Sequence, residues 1–362
     1  MYRNGRVILY IFIGEKMDPY APIINVKHFG KNNMLSVLKA ECENVTYFQR
    51  GKFNFQVMFS ENEDFNAVAY EIGNKSYINV SIATVMQIYH HVFLLMKRQE
   101  LVPNVEEEVL FKENYRIEEF EVPEICQYDK EFKQIVFYEG PDNPKRRKIA
   151  ELITLFGMEF MMFHELGHHI GGHLRFFMET LGVQRLYAQG NSIGIDSKVY
   201  QMLENDADAI AIASLLESIS TKIESYKNYF LNGAGELLPH CVIIAVTTVF
   251  FLMEREDYSY NIDNAQYLPR DIRFMLVIRI LMDKLNGDYK ICGFSQTPEE
   301  LAKTLKISND LLGELYANKE KDRKILFHEQ NYIKEYYNRT LLPLWKEIRN
   351  ELEKYAVISL PE

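Results

Sequence analysis

The stretch ITLFGMEFMMFHELGHHIGGH, residues 153–173, constrains the chain more than any other. An almost uninterrupted apolar run leads directly into four of the chain's 9 histidines, together with a glutamate and three glycines. The run is too apolar for a surface segment and carries no turn signal before Gly171-Gly172, so it predicts a largely buried helix that ends at the glycine pair. Burying imidazoles and a carboxylate is costly unless they are partnered. Residues four apart on a helix lie about 40° apart around its axis. His164 and His168 therefore aim at one point, and Glu165 stands one step around the helix. This is the geometry that offers two imidazole nitrogens to one Zn²⁺ and leaves a glutamate within reach of the water beside it.

A catalytic zinc takes three protein ligands and keeps one position for water. The candidate third ligand lies in ENDADAIAIA, residues 204–213. Glu204 and Asp208 are four apart on a second predicted helix and share one of its faces. Glu204 is expected as the ligand. Asp208 is expected to accept a hydrogen bond from a ligand histidine and fix its tautomer. Asp206 falls about 160° from both and is expected to stand apart from the site. Ala207, Ala209 and Ala211 are small enough to let the two helices approach closely. Glu165 is the expected general base, and His169 and His173 are expected to support the site or the fold without binding the metal. For the donor to a developing oxyanion, Tyr267, His240 and Arg273 are the candidates.

His164-Glu165-Leu166-Gly167-His168, then His173, then Glu204-Asn205-Asp206-Ala207-Asp208, resembles the HExxH…ExxAD signature of gluzincin-type zinc metallopeptidases. The prenyl-protein endopeptidase and its stress-related membrane relatives carry this signature, with clear membrane spans that are not evident here. The phage-exclusion peptidase family called Lit is similar in scale and plan: a strand-rich N-terminal part, a mid-chain zinc helix and a helical C-terminal half. The motifs cover only residues 160–213. The resemblance implies a zincin-like α+β fold, with an N-terminal mixed or antiparallel sheet packed on the active-site helix. It also implies a zinc-dependent endopeptidase acting on a protein or peptide substrate, in phage or stress defence. The metzincin pattern HExxHxxGxxH is excluded, because Leu174 stands where its third histidine is required.

Two other readings stay open. One is a regulatory peptidase of the ImmA/IrrE type, which shares HExxH and a later glutamate and cleaves a repressor; the faint helix-turn-helix pattern over residues 299–316 carries no basic stripe and reads better as ordinary helical packing. The other is a non-enzymatic protein stabilised by zinc, which would need a fourth protein ligand.

The rest of the chain sets the frame. Residues 1–143 read as a strand-rich part with one long helix, and residues 144–362 as a mainly helical part carrying the zinc motifs, with the catalytic unit spanning both. FNFQVMF (53–59), NAVAYEI (66–72), KSYINV (75–80) and KQIVFYE (133–139) read as strands, as does VILYIFI near the start. Gly73-Asn74 is a two-residue hairpin turn. Ser81 caps a helix containing His90 and His91, and Thr297 with Glu300 forms a capping box. An acidic run spans 105–124. The formal charge of −10 argues against nonspecific nucleic-acid binding. Residues 237–253 fall short of a membrane-spanning length and read as a core helix, so no membrane partner is expected. Cys42, Cys126, Cys241 and Cys292 are scattered without a CxxC pair, which fits a reducing, cytoplasmic setting.

Overall fold

The computed structural model describes residues 55–60, 65–72, 75–102, 128–129, 134–135, 144–181, 196–221, 234–253, 268–286, 297–315 and 330–360. The expected strand near the start, the acidic run, most of KQIVFYE, Tyr267 and three of the four cysteines lie outside these residues. Strands β1 (Phe55–Ser60), β2 (Ala67–Ile72) and β3 (Lys75–Ser81) form a mixed sheet in the order β1-β3-β2. β2 and β3 are antiparallel, with Ile72 opposite Lys75. That register is the one a two-residue turn dictates. β1 runs parallel to β3 on its other side, so β2 forms an edge among the described residues. A second short ladder pairs β4 (Tyr128–Asp129) with β5 (Gln134–Ile135). Alternation sends Val57, Ala67, Ile78 and Val80 into the main core.

Helix α1 (Ile82–Leu95) starts where Ser81 Oγ accepts the Thr84 N–H at 3.2 Å. The long helix α2 (Pro144–Ile170) follows, about 40 Å from end to end at 1.5 Å per residue. It is buried along its length by α1, by β2 and by two later helices, α4 (Ser197–Thr221) and α5 (Ala234–Leu252). Ile149, Ile153, Phe156, Phe160 and Phe163 bring its apolar side chains into the core. Near its start, Arg146 is fully buried and donates to three backbone carbonyls, those of Met96, Arg98 and Val102. The charge is thus spent tying the first turns of α2 to the segment after α1.

α2 stops at Gly172, whose φ of 81° is the left-handed conformation that glycine adopts without a Cβ penalty. A Cβ there would also lie 2.7 Å from the Ala356 backbone nitrogen. Short helix α3 (His173–Leu181) turns away from this point. The remaining helices are α6 (Arg270–Asn286), α7 (Pro298–Leu315), α8 (Gln330–Tyr336) and, after a π turn at Tyr337–Leu341, α9 (Leu342–Leu352). Leu174, Phe177, Tyr200, Leu203, Leu276 and Trp345 form a second core, joining α3, α4, α6 and α9.

The described residues are therefore mostly helical with one small three-stranded sheet, compatible with the α+β class. Among them, no helix is long and apolar enough to cross a membrane. The apolar segment 237–253 lies almost wholly in α5 and is packed into the main core. Its Thr247 and Thr248 return their hydroxyls to the carbonyls of Ile243 and Ile244. Residues 299–315 fall in α7, an unbroken helix to Leu315 opened by the Thr297–Glu300 capping box, and not in two helices joined by a turn.

His90 gives the fold an acid-sensitive point. Burial first, then His91 and Lys97, hold its imidazole down to about 3. The unfolded chain protonates it near ~6.5. Stability contributed by the neutral ring is therefore fully present above ~6.5 and is lost as pH falls toward 3, at up to about 1.4 kcal/mol per pH unit. His90→Gln, which does not ionise, is expected to flatten this limb. Thermal unfolding followed from pH 7 to 4 measures it, and equal slopes for both proteins would clear His90 of the effect.

Candidate metal centre

α2 and α4 cross where both carry small residues. A Cβ on Gly167 would stand 3.1 Å from the Cα and carbonyl oxygen of Ala207, so glycine sets this close approach. Ala207 and Ala211 are fully buried, whereas Ala209 is only half-buried. The approach brings Glu204 on α4 to the two histidines on α2. His164 Nε2 and His168 Nε2 are 3.2 Å apart. His164 Nε2 lies 3.4 Å from Glu204 Oε2, and His168 Nε2 lies 3.4 Å from Glu204 Oε1. Among the described residues this is the one group of three whose ligand atoms converge closely enough for a metal ion. The three are 3–6 % exposed.

Ligand atoms ~2.05 Å from a tetrahedral zinc stand about 3.3 Å from one another. The edge between the two imidazole nitrogens, 3.2 Å, is close to that value, and Glu204 spans the pair with one oxygen beside each nitrogen. Two imidazole nitrogens and a carboxylate are also a donor set that zinc accepts.

Asp208, one turn beyond Glu204, takes the place expected of it. Its Oδ1 lies 2.9 Å from His164 Nδ1. The proton on that nitrogen is directed to the carboxylate, which leaves Nε2 with its lone pair toward the cluster. Arg273 enters from α6. Its Nε and Nη2 fork onto Asp208 at 2.5 and 2.8 Å, Nη1 reaches Glu204 Oε2 at 3.1 Å, and Nη2 lies 3.2 Å from His164 Nδ1. Its guanidinium sits 5.7 Å from the centre of the Phe250 ring. Of the three oxyanion-donor candidates, Arg273 alone is described at the cluster. Its nitrogens are committed to Asp208 and Glu204, which makes it a positioning group for the carboxylates. His240 faces Thr304 instead, with its Nδ1 2.6 Å from the hydroxyl.

Burial opposes charge throughout the centre, and the protein's own groups decide where charge survives. His164 is disfavoured as a cation by burial and by Arg273, but Asp208 and Glu204 prevail and push it up to about 10. His168, with burial dominant, falls to about 4. Glu204 stays ionised well below the usual carboxylate range because Arg273 and both histidines outweigh its burial. Asp208 is lowered against burial by Arg273 and His164. Near pH 7 the protein groups alone thus balance two cations, His164 and Arg273, against two anions, Glu204 and Asp208. Glu165 is set apart. Burial, with the Glu204 charge adding to it, raises its carboxyl to about 7, against His164, Arg273 and the backbone N–H of Ala69, which hydrogen-bonds to it.

The Ala69 contact ties the site to the sheet. Ser81 N–H bonds to Asn66 O at 2.9 Å. Hydrogen-bonded pairs alternate along an antiparallel ladder, so Ala67, Ala69 and Glu71 turn their backbone groups to the outer edge of β2. Glu165 lies at that edge. His169 is not aimed at the cluster: its Nε2 donates to Tyr77 O at 3.0 Å, joining α2 to β3.

Asp206 lies on the other side of α4, as helical geometry requires, but it does not stand apart. Its Oδ2 is 3.0 Å from His173 Nε2, and His173 Nδ1 is 3.0 Å from His168 Nδ1. An angle measured on α4 alone missed a partner that arrives from α3. Arg273 was expected only as a candidate oxyanion donor; a signal for its pairing was its place between the buried Ile272 and Phe274 of α6, where an arginine requires acidic company.

Compared with family models, with curated proteins and with solved structures, the chain finds no match. The functional reading of the centre therefore rests on its own residues.

Proposed function

We propose that the protein is a zinc-dependent endopeptidase of the gluzincin type, hydrolysing a peptide bond in a protein substrate. The observation that carries this reading is the three-cornered cluster of His164, His168 and Glu204, with Glu165 beside it and not in it. Three protein ligands leave the fourth position of a tetrahedral ion for water, as catalytic sites do. Zinc held by His164, His168 and Glu204 would supply Lewis-acid chemistry, lowering the pKa of a bound water toward ~7 and polarising a scissile carbonyl. Glu165 takes the proton from the attacking water and delivers it to the leaving amine. A carboxyl raised to about 7 suits both halves of that task. Asp208 and Arg273 hold His164 and Glu204 in place. An extended substrate lies along the outer edge of β2, where its backbone pairs with that of the strand.

This arrangement favours an enzyme over a zinc-stabilised binding protein, because no fourth His or Cys joins the cluster among the described residues. The unbroken α7 gives the reading as a DNA-binding regulator no support from the 299–315 stretch. On the resemblance of its motifs to those of the Lit family, the proposed substrate is a cellular protein cleaved in phage defence. The test compares newly formed protein N-termini in cells expressing the wild type and Glu165→Gln. A set of N-termini present only with the wild type is the expected result. Identical profiles, from cells in which the wild type produces its phenotype, would remove proteolysis as the activity.

A further inference from the structure

The two ligand histidines are held differently. His164 is held by a carboxylate directly, since its Nδ1 faces Asp208 at 2.9 Å. Among the described residues, His168 has no carboxylate at its Nδ1. It faces another imidazole, His173 Nδ1, at 3.0 Å, and the far nitrogen of that ring meets Asp206 at 3.0 Å. His168, His173 and Asp206 are all buried.

We propose that His173 and Asp206 form a positioning pair that fixes the tautomer of His168, so that its Nε2 lone pair is the one presented to the metal. This inference rests on reading His164, His168 and Glu204 as a metal centre. One arrangement of protons satisfies the chain. Nε2 is the nitrogen of His168 that stands in the cluster, so to bind a metal His168 must carry its proton on Nδ1. That proton needs an acceptor, and His173 Nδ1 accepts only if it is bare. A neutral His173 with a bare Nδ1 carries its proton on Nε2, directed at Asp206 Oδ2. A carboxylate only accepts, so Asp206 selects this tautomer of His173, and His173 in turn selects that of His168.

Without the Asp206 carboxylate, His173 is free to take the opposite tautomer. Its Nδ1–H would then donate to His168 Nδ1, the His168 proton would move to Nε2, and the ligand position would be closed. The information passes through two hydrogen bonds from a residue that touches no ligand atom.

Local chain geometry supports a built arrangement. In an unbroken α2, His173 would point about 180° from His164. The turn at Gly172 instead brings its ring back against His168. A side chain on Gly171 would stand 2.8 Å from His173 Nε2, so the residue beside the turn leaves room for this imidazole. Asp206 and Asp208, two apart on α4, face opposite sides, so one short segment serves both histidines by separate routes.

The test measures zinc affinity of the full chain by competition with a chelator, together with ¹⁵N shifts of the imidazoles in the zinc-loaded protein. The wild type is expected to show His173 protonated at Nε2 and bare at Nδ1. His173→Phe, which offers no acceptor, should bind zinc ~10–100-fold more weakly, the usual cost of losing an outer partner of a ligand. His173→Asn places an amide oxygen near the position of Nδ1 and should stay within about threefold of the wild type. Asp206→Leu should weaken zinc binding in the wild-type background, and far less in the His173→Asn background, where the amide acceptor no longer depends on it. Equal losses in His173→Phe and His173→Asn would mean that the ring only packs, and the proposal would fail. A proton on His173 Nδ1 in the loaded wild type overturns it without any variant. If the wild type itself holds no zinc, the metal-centre reading falls as well. If the wild type holds zinc and His173→Phe holds it equally, this inference alone falls.

Discussion

Glu165→Gln is expected to lower turnover by at least ~100-fold while leaving zinc content unchanged, the lower end of what general-base catalysis supplies. The loss corresponds to at least about 2.7 kcal/mol of transition-state stabilisation. The substitution keeps the size of the side chain and an oxygen able to accept the Ala69 N–H, so the edge of β2 stays in register with α2. It removes the capacity to take a proton. A second readout comes from the chain stripped of metal. The Glu165 carboxyl is raised from 4.5 to about 7 by burial first and by Glu204 next, so its neutral form is the one the fold prefers. The stability this contributes is fully present below ~4.5 and is lost as pH rises through about 7. Glutamine stays neutral throughout, so the metal-free variant should unfold at a higher temperature than the metal-free wild type at pH 8 and at nearly the same temperature at pH 4. Zinc quantification, single-substrate kinetics and the two melting curves check these points. A variant that keeps both its zinc and its activity would show that Glu165 is not the base.

The parts of this site that the sequence made legible are those a single helix encodes. His164, Glu165 and His168 follow from the four-residue period, as do Glu204 and Asp208, and the structure brings together the residues each helix was expected to present. Small residues at Gly167 and Ala207 explain why two such helices meet. What the period could not carry is anything decided by a third element. Arg273 is 65 residues from Asp208 and reaches it because α6 packs against α4. Asp206 gained its partner because the chain reverses at Gly172 and returns a histidine to the far side of α4. The sheet shows the same division. The β2–β3 hairpin is local and followed from a turn and two alternating runs, but β1 lies beside β3 and parallel to it, a pairing that chain order does not dictate. The segment 237–253 read correctly as a core helix, since its threonines satisfy themselves on the preceding turn and the surrounding helices cover the rest.

Removing the ligands should remove the metal. The wild type is expected to hold one zinc per chain, and the double variant His164→Ala/His168→Ala none, measured by elemental analysis after purification without added zinc. An ion that binds only the folded chain stabilises it by RT ln(1 + [Zn]/Kd), about 4 kcal/mol where free zinc exceeds Kd ~1,000-fold. The double variant should lack that increment, and a chelator should bring the wild type most of the way down to it, because metal binding is coupled to folding. Glu204→Gln should weaken retention far more than Asp206→Asn. The first replaces a charged ligand 3.4 Å from both imidazole nitrogens, whereas the second keeps an amide oxygen able to accept from His173. Retention should also depend on pH in one direction. The protein's groups push His164 up to about 10, so near neutral pH a proton must leave that ring when the metal arrives, and affinity should rise with pH and fail in acid. Full zinc occupancy in the double histidine variant would place the metal elsewhere in the chain. Equal losses from Glu204→Gln and Asp206→Asn would mean that the carboxylate of Glu204 is not the third corner, and that the 3.4 Å contacts are those of a buried ion pair.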